Sequence, residues 1–201
     1  MIKNIVFDLG NVLIGFCPKK FIKENVEPKF QDKFFEIVFR GQEWKDLDRG
    51  ILNYDEAIKI FTEKLPECEK TIKKLFDENI YECLDPIENN IALLPKLKKN
   101  YNLYIISNFH LKAFENIYEK WDFFKLFNGK IISAHHKLMK PEPEIYQLLL
   151  DTYSLKANEC LFIDDVEENI IGAKNIGMNG IQLTDYNFLE EKLKEEGIKL
   201  W

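Results

Sequence analysis

Three aspartates, a serine, an asparagine and a lysine carry most of the chemistry this sequence could perform, each just past a short apolar run. Asp8 follows Ile5-Val6-Phe7, Ser107-Asn108 follows Tyr104-Ile105-Ile106, and Asp164-Asp165 follows Leu161-Phe162-Ile163. Lys140 lies in Met139-Lys140-Pro141-Glu142-Pro143, on the loop after the apolar run at 130–133. Carboxylates gathered in one place repel unless a cation joins them, and Mg²⁺ takes oxygen ligands from one or two carboxylates together with substrate phosphate. The hydroxyl, backbone amides and the Lys140 ammonium would then hold phosphate oxygens. A metal and a lysine together offset the charge on a phosphoryl group in transfer.

Residues this far apart in sequence meet only if the elements bring them to one edge. Five apolar runs read as strands: Ile5-Val6-Phe7, Leu103-Tyr104-Ile105-Ile106, Lys130-Ile131-Ile132-Ser133, Cys160-Leu161-Phe162-Ile163 and Gly180-Ile181-Gln182-Leu183. Their hydrophobicity is continuous rather than alternating, which suits strands buried on both faces of a parallel sheet. Helical spacing of apolar residues lies between them, over Asn89 to Lys99, Pro143 to Tyr153 and Glu168 to Ile176. Strand and helix in alternation predict an α/β fold, a doubly wound parallel sheet whose strand carboxyl ends share one edge.

From about Pro18 to Leu84 that alternation stops. Amphipathic patterns over Phe30 to Phe39, Asp55 to Lys64 and Glu69 to Tyr81 succeed one another with no strand-like run between them. The stretch is too long for a loop. It predicts an inserted helical cap, residues 17–84, on a core made of residues 1–16 and 85–201. An insertion there would sit over the strand ends, where open α/β sheets bind ligands. Asn187 to Lys199 reads as a charged terminal helix with Trp201 after it.

Composition narrows the partners. With 201 residues and 46% hydrophobic content the chain can bury one substantial core. A net charge of -6 argues against nucleic acid, whose binding needs a basic surface, and against a polybasic membrane anchor. The longest apolar runs are too short to span a bilayer, and the N-terminus lacks the pattern of a signal peptide. Cys17, Cys68, Cys83 and Cys160 are scattered without metal-like spacing and read as free thiols in a reducing cytoplasm. The expectation is a cytoplasmic protein that acts on a small molecule, with nothing to fix its oligomeric state.

Taken in order, Phe7-Asp8-Leu9-Gly10-Asn11-Val12-Leu13, Ile106-Ser107-Asn108, Lys140-Pro141-Glu142-Pro143 and Phe162-Ile163-Asp164-Asp165 with Asn169 resemble the four motifs of the haloacid dehalogenase superfamily. The resemblance covers the whole chain, because the helical stretch matches the cap that many members insert after the first motif. The opening motif is similar to that of sugar-phosphate phosphatases such as bacterial α-glucose-1-phosphate phosphatase, and of the phosphatase domain attached to mammalian soluble epoxide hydrolase. The resemblance implies a magnesium-dependent phosphomonoester hydrolase acting on a small phosphorylated metabolite such as a sugar phosphate. Asp8 would attack phosphorus and form an aspartyl-phosphate that water hydrolyses. Ser107 and the Asn108 backbone would hold phosphoryl oxygens, and Lys140 would pair with phosphate and Asp8. Asp8, the Gly10 carbonyl and Asp165 would hold the metal, with Asp164 and Asn169 supporting.

Gly10 is a departure. Most phosphatases of the superfamily have a second aspartate there, whose carbonyl serves the metal and whose side chain serves acid/base catalysis. The carbonyl survives in this sequence; the proton shuttle, a role that typically contributes roughly 10²–10⁴-fold, does not. The expected consequence is a bias toward esters with better leaving groups, unless His110, just past the second motif, supplies the proton. Metal-independent 2-haloacid dehalogenases also lack that aspartate. Asp164-Asp165 favours the phosphatase, since adjacent acids suit a cation and dehalogenases typically carry small polar residues there. A phosphate-binding protein with weakened catalysis is the reading from another class.

Phe16, Trp44, Phe109 and His110 are candidates for the substrate pocket, although aromatic residues are more often core. Trp44 precedes Asp48-Arg49-Gly50, which resembles a cap-helix turn of the related phosphatases. His135-His136 could suggest a transition metal, but with no third ligand evident they read as exposed. Lys137, where relatives often have Gly, predicts an altered loop.

Overall fold

The computed structural model of the protein describes residues 1–200, apart from the side chains of Glu78 and Asn79. Trp201 lies outside the described residues. The strands are β1 (Asn4–Phe7), β2 (Ile14–Phe16), β3 (Leu84–Pro86), β4 (Asn102–Ser107), β5 (Gly129–Ile132), β6 (Cys160–Asp164) and β7 (Asn179–Gln182). Five of them form one sheet in the order β5-β4-β1-β6-β7, and every pairing in it is parallel. All five runs predicted as strands lie in it. The sequence order reverses around β1, so the switch point where open α/β sheets bind ligands falls at the carboxyl end of β1, beside Asp8.

Alternation along the strands divides the core. Ile5, Phe7, Leu103, Ile105, Leu161 and Ile163 point to one face of the sheet. Val6, Tyr104, Ile106, Cys160 and Phe162 point to the other. Both faces are covered, which is why the runs read as continuously apolar. On the first face lie α6 (Glu88–Ile91), α7 (Leu94–Leu97), α8 (Leu111–Lys120) and α12 (Leu189–Glu195). On the second lie α10 (Pro143–Tyr153) and α11 (Glu167–Asn175), through Ile145, Tyr146, Leu149, Ile170 and Ala173.

Between β2 and β3 the chain forms α1 (Pro18–Asn25), α2 (Gln31–Phe34, continuing as a π-helical stretch to Phe39), α3 (Gln42–Arg49), α4 (Tyr54–Lys64) and α5 (Glu69–Lys74). These helices gather a hydrophobic cluster of their own, with Phe21, Phe34, Phe61, Ile72 and Phe76 buried in it. The start of α4 is fixed by a reciprocal pair of bonds: Asn53 accepts from the Glu56 amide at 3.0 Å, and Glu56 accepts from the Asn53 amide at 3.1 Å. No helix among the described residues is long and apolar enough to cross a membrane.

Two local expectations need correction, and one strand pair was not foreseen. The helix predicted over Asn89 to Lys99 is two short ones, α6 and α7, with a turn between them and Pro95 within the second. Ser133 does not end a strand but starts α9 (Ser133–His136). The antiparallel pair β2–β3, with Ile14 opposite Pro86 and Phe16 opposite Leu84, was not legible as strand, because three residues are too few to show a period. That pair brackets the helical insertion and returns the chain to the sheet.

Candidate active site

The site begins with a turn. Past β1, the Leu9 carbonyl accepts from Leu13 at 2.9 Å and Ile14 at 2.8 Å, and Asn11 takes a left-handed conformation, φ 52°. The Asp8 carboxylate is thereby left at the strand end, with the Leu9 amide donating to its Oδ1 at 2.7 Å. Ser107, at the end of the neighbouring β4, is buried, and its side chain helps to lower the Asp8 carboxyl against the rise that burial causes.

Lys140 reaches this point from the loop before α10. Its Nζ lies 2.8 Å from Asp8 Oδ1 and 2.6 Å from Asp164 Oδ2, and only 1% of the side chain is exposed. Asn169, one turn into α11, donates to both oxygens of Asp164 at 3.0 and 3.1 Å, and the Val166 amide adds a bond of 2.8 Å. Tyr146 Oη in turn donates to the Asn169 carbonyl at 2.8 Å. Asp165 reaches the first turn, where Asn11 Nδ2 donates to it at 3.0 Å.

The charges do not balance. Carboxylate oxygens of Asp8, Asp164 and Asp165 lie within 4.8 Å of one another, and the Lys140 ammonium pairs with the first two. Burial pushes the Asp8 carboxyl upward; Lys140 pulls it back and Asp164 adds to the rise. Burial also raises Asp165, against the bond from Asn11. Burial works against the Lys140 ammonium, yet Asp8 and Asp164 together hold it above its ordinary range. A set of hard oxygen donors with surplus negative charge fits a divalent cation such as Mg²⁺.

A cavity opens above Asp8. Gly10, Asn11, Asn108 and Asp165 line its base; Ile14, Phe16, Trp44, Leu84, Phe109 and Ala113 line its apolar wall. The structure therefore brings Phe16, Trp44, Phe109 and His110 to the same cavity as Asp8. Phe16 and Trp44 have ring centroids 5.6 Å apart, and Trp44 lies 4.2 Å from the His110 ring. His135 and His136 are exposed on α9, and among the described residues the aspartate trio is the group with metal-ligand spacing. Lys137 takes a left-handed conformation, φ 58°, in keeping with a position where Gly is common.

Among the acidic residues that line the cavity, sequence reasoning missed Asp48. It sits on α3 one turn after Trp44, so the two share a helix face. That spacing was the available signal, hidden because Asp48-Arg49-Gly50 read as a turn. The insertion holds Asp48 in place through its own end. Gly50, φ 74°, terminates α3 and packs so tightly on α9 that an added Cβ would lie 2.2 Å from the Ala134 carbonyl oxygen. Ser133 Oγ donates to the Asp48 carbonyl and accepts from the Phe109 amide at 2.9 Å, bridging insertion and core. Arg49 pairs with both oxygens of Glu142 and donates to the Lys137 carbonyl at 3.2 Å, tying α3 to the loop that carries Lys140.

Comparison with known proteins agrees with this arrangement. The haloacid dehalogenase-like hydrolase family matches residues 22–183. The chain is 28% identical to a sesquiterpene phosphatase of Aspergillus oryzae, over 91% of this chain and 90% of that protein. It is 26% identical to a D-ribitol-5-phosphate phosphatase of Bacteroides thetaiotaomicron, over 90% and 92%. Among solved structures, it is similar to a HAD family enzyme of Bacteroides thetaiotaomicron in its magnesium complex, with TM-score 0.69, 25% identity and 90% and 92% of the two chains covered. With its parallel sheet, its inserted helices and its aspartates at the strand ends, this chain belongs to the haloacid dehalogenase-like hydrolases.

Proposed function

We propose that the protein is a magnesium-dependent phosphomonoester hydrolase acting on a small phosphorylated metabolite. The observation that carries this is the buried Lys140 ammonium between Asp8 and Asp164, with Asp165 close by and a cavity above. Two similar proteins of nearly the same length are named phosphatases, and the similar solved structure is a magnesium complex. In this reading Asp8 and Asp165, with the Gly10 carbonyl, hold Mg²⁺. When bound, the ion polarises the phosphoryl oxygens and offsets charge in the transition state.

The chain's own residues do the rest. A carboxylate oxygen of Asp8 attacks phosphorus in line with the departing oxygen, and water then hydrolyses the aspartyl-phosphate, so one difficult step becomes two. Lys140 keeps Asp8 ionised and neutralises a phosphoryl oxygen. Ser107 and the Asn108 backbone hold the remaining oxygens. Asp164, fixed by Asn169 and Val166, holds Lys140 in place. Residues 17–84 act as a cap whose closure shuts water out of the cavity.

A second reading concerns the substrate. Sequence reasoning favours a sugar phosphate, but the cavity wall of Ile14, Phe16, Trp44, Leu84 and Phe109 offers few partners for hydroxyl groups. It suits a phosphate ester with a largely apolar organic group, which is also the substrate type in the name of the Aspergillus oryzae relative.

A phosphate-release screen tests both readings, with sugar phosphates and prenyl monophosphates measured in Mg²⁺ and in chelator. The expected result is Mg²⁺-dependent release that Asp8→Asn abolishes, with the prenyl esters preferred. Turnover of 2-chloropropionate in chelator, with no phosphate release, would overturn the proposal in favour of a dehalogenase. Phosphate binding without turnover would leave only a binding protein.

A further inference from the structure

Gly10 leaves the site without an acid on the β1 turn, yet a carboxyl group faces the same cavity from the opposite side. Asp48 projects from α3 into the cavity that holds Asp8 and Gly10, with 17% of its side chain exposed. Its Oδ1 lies 3.3 Å from His110 Nε2, close but not aligned as a hydrogen bond, so Nε2 is buried without a hydrogen-bond partner. On the far side of the ring, Nδ1 lies 3.5 Å from Tyr54 Oη. A buried ring nitrogen left unpaired costs free energy, and a small rotation of a protonated Asp48 would satisfy it.

We propose that Asp48, held against His110, protonates the oxygen of the departing group and then takes a proton from the hydrolytic water, filling the role that Gly10 vacates. The inference rests on the phosphohydrolase reading. In the first step the Asp8 carboxylate forms a bond to phosphorus and the bond from phosphorus to the ester oxygen breaks. That electron pair stays on the oxygen, which takes the proton of the Asp48 carboxyl. In the second step Asp48, now a carboxylate, removes a proton from water as the water oxygen bonds to phosphorus. The bond from phosphorus to Asp8 breaks, releasing inorganic phosphate and restoring both carboxyl groups. The sum is ester plus water to alcohol plus phosphate.

Electrostatics agree with the geometry. Burial, with Asp8 adding to it and Lys140 opposing, pushes Asp48 up to about 8; burial pushes His110 down to about 3, opposed by the Trp44 backbone carbonyl. Near neutral pH the pair is a protonated carboxyl beside a neutral imidazole. Asp8 and Lys140 from the core, and His110 and Tyr54 beside it, are the titratable groups that act on Asp48. His110 is thus a positioning residue, and it does not hold the proton itself.

The experiment follows formation of the phospho-enzyme with two esters in Mg²⁺. The p-nitrophenolate group leaves without a proton, whereas the alcohol of phenethyl phosphate needs one. Asp48→Asn should slow phenethyl alcohol release by about 10²–10⁴-fold and leave the p-nitrophenol burst nearly unchanged. Gly10→Asp in the Asp48→Asn background should restore phenethyl phosphate turnover, because a Cβ at Gly10 would meet only Asp8 Oδ2, at 4.0 Å. His110→Gln serves as the second variant if Asp48→Asn fails to fold, with a smaller loss of the same selectivity expected. Equal slowing of phospho-enzyme formation from both esters in a folded variant overturns the inference alone. Wild-type protein inert toward both esters overturns it together with the hydrolase reading.

Discussion

The side-chain amide of Asn108 is hydrogen-bonded twice to the backbone of Lys140: Nδ2 donates to the carbonyl at 3.1 Å and Oδ1 accepts from the amide at 2.9 Å. The end of β4 therefore fixes the loop that delivers the ammonium group, while Nζ itself remains available to Asp8 and Asp164. A displacement of about 1 Å in a catalytic group can cost about 10²-fold in rate. Asn108→Ala should lower kcat for phosphate release by that order while leaving the far-UV circular dichroism unchanged. Asn108→Asp, which places an acceptor against the Lys140 carbonyl, should do the same. A wild-type kcat in either variant would show that the loop holds Lys140 without this clamp.

Lys140 is also what allows Asp8 and Asp164 to be buried together. Their side chains are 10% and 0% exposed, so solvent screens the trio little. Removing one partner of a buried ion pair typically costs about 3–5 kcal/mol. Lys140→Met should lose stability on that scale in chelator, measured by urea unfolding, and should be inactive. The double variant Lys140→Met/Asp164→Asn should recover part of the loss, because one stranded charge has gone. No recovery would mean the lysine stabilises the fold through packing rather than charge.

Arg49 and Glu142 join the helical insertion to the Lys140 loop. Each pulls the other from its ordinary pKa: the Arg49 bond holds the Glu142 carboxyl low, and the Glu142 bond holds Arg49 high. Both side chains are about a third exposed, 33% and 34%. Their coupling in stability should therefore stay under about 1 kcal/mol in a double-mutant cycle of Arg49→Met and Glu142→Gln. The larger effect should fall on function: with α3 untethered, KM should rise more than kcat falls. A stability coupling without any change in KM would sink the idea that this contact holds the insertion over the cavity.

Chemistry-bearing residues on the sheet edge were legible because each follows a run long enough to read as a buried strand. Asp8, Ser107, Asp164 and Asp165 converge for that reason alone, and Lys140 follows from the loop before α10. Apolar periodicity likewise disclosed the helices between β2 and β3. What stayed hidden depends on contacts between distant segments. Asn11 reaches Asp165 because a left-handed residue turns its side chain back toward β6, and nothing in the local pattern announces that bond. Asp48 was hidden because its place in the cavity depends on how α3 lies against α9, a packing set by Gly50 and Ser133. The burial of His110, which lies just past the Ser107-Asn108 motif, was equally hidden, and it is that burial which pushes the ring down to about 3.

Asp48 and His110 should tilt stability against pH in opposite directions. His110 has its folded pKa lowered from 6.5 to about 3, so between those values the unfolded chain binds a proton that the folded protein refuses. Stability falls there as pH drops. Asp48 has its folded pKa raised from 3.8 to about 8, so the folded protein keeps a proton that the unfolded chain releases, and stability falls as pH rises through that window. The two oppose one another below pH 6.5, and above it the Asp48 slope stands alone, up to about 8. Urea midpoints should be measured in chelator and in an Asp8→Asn background, since Asp8 is also raised by burial; the burial that is the largest cause of the Asp48 shift survives that substitution. Asp48→Asn should flatten the decline above pH 6.5, and His110→Gln should leave the Asp48 slope unopposed below it, so that stability goes on rising as pH falls. An alkaline slope that persists in Asp48→Asn would place the shifted proton on another group.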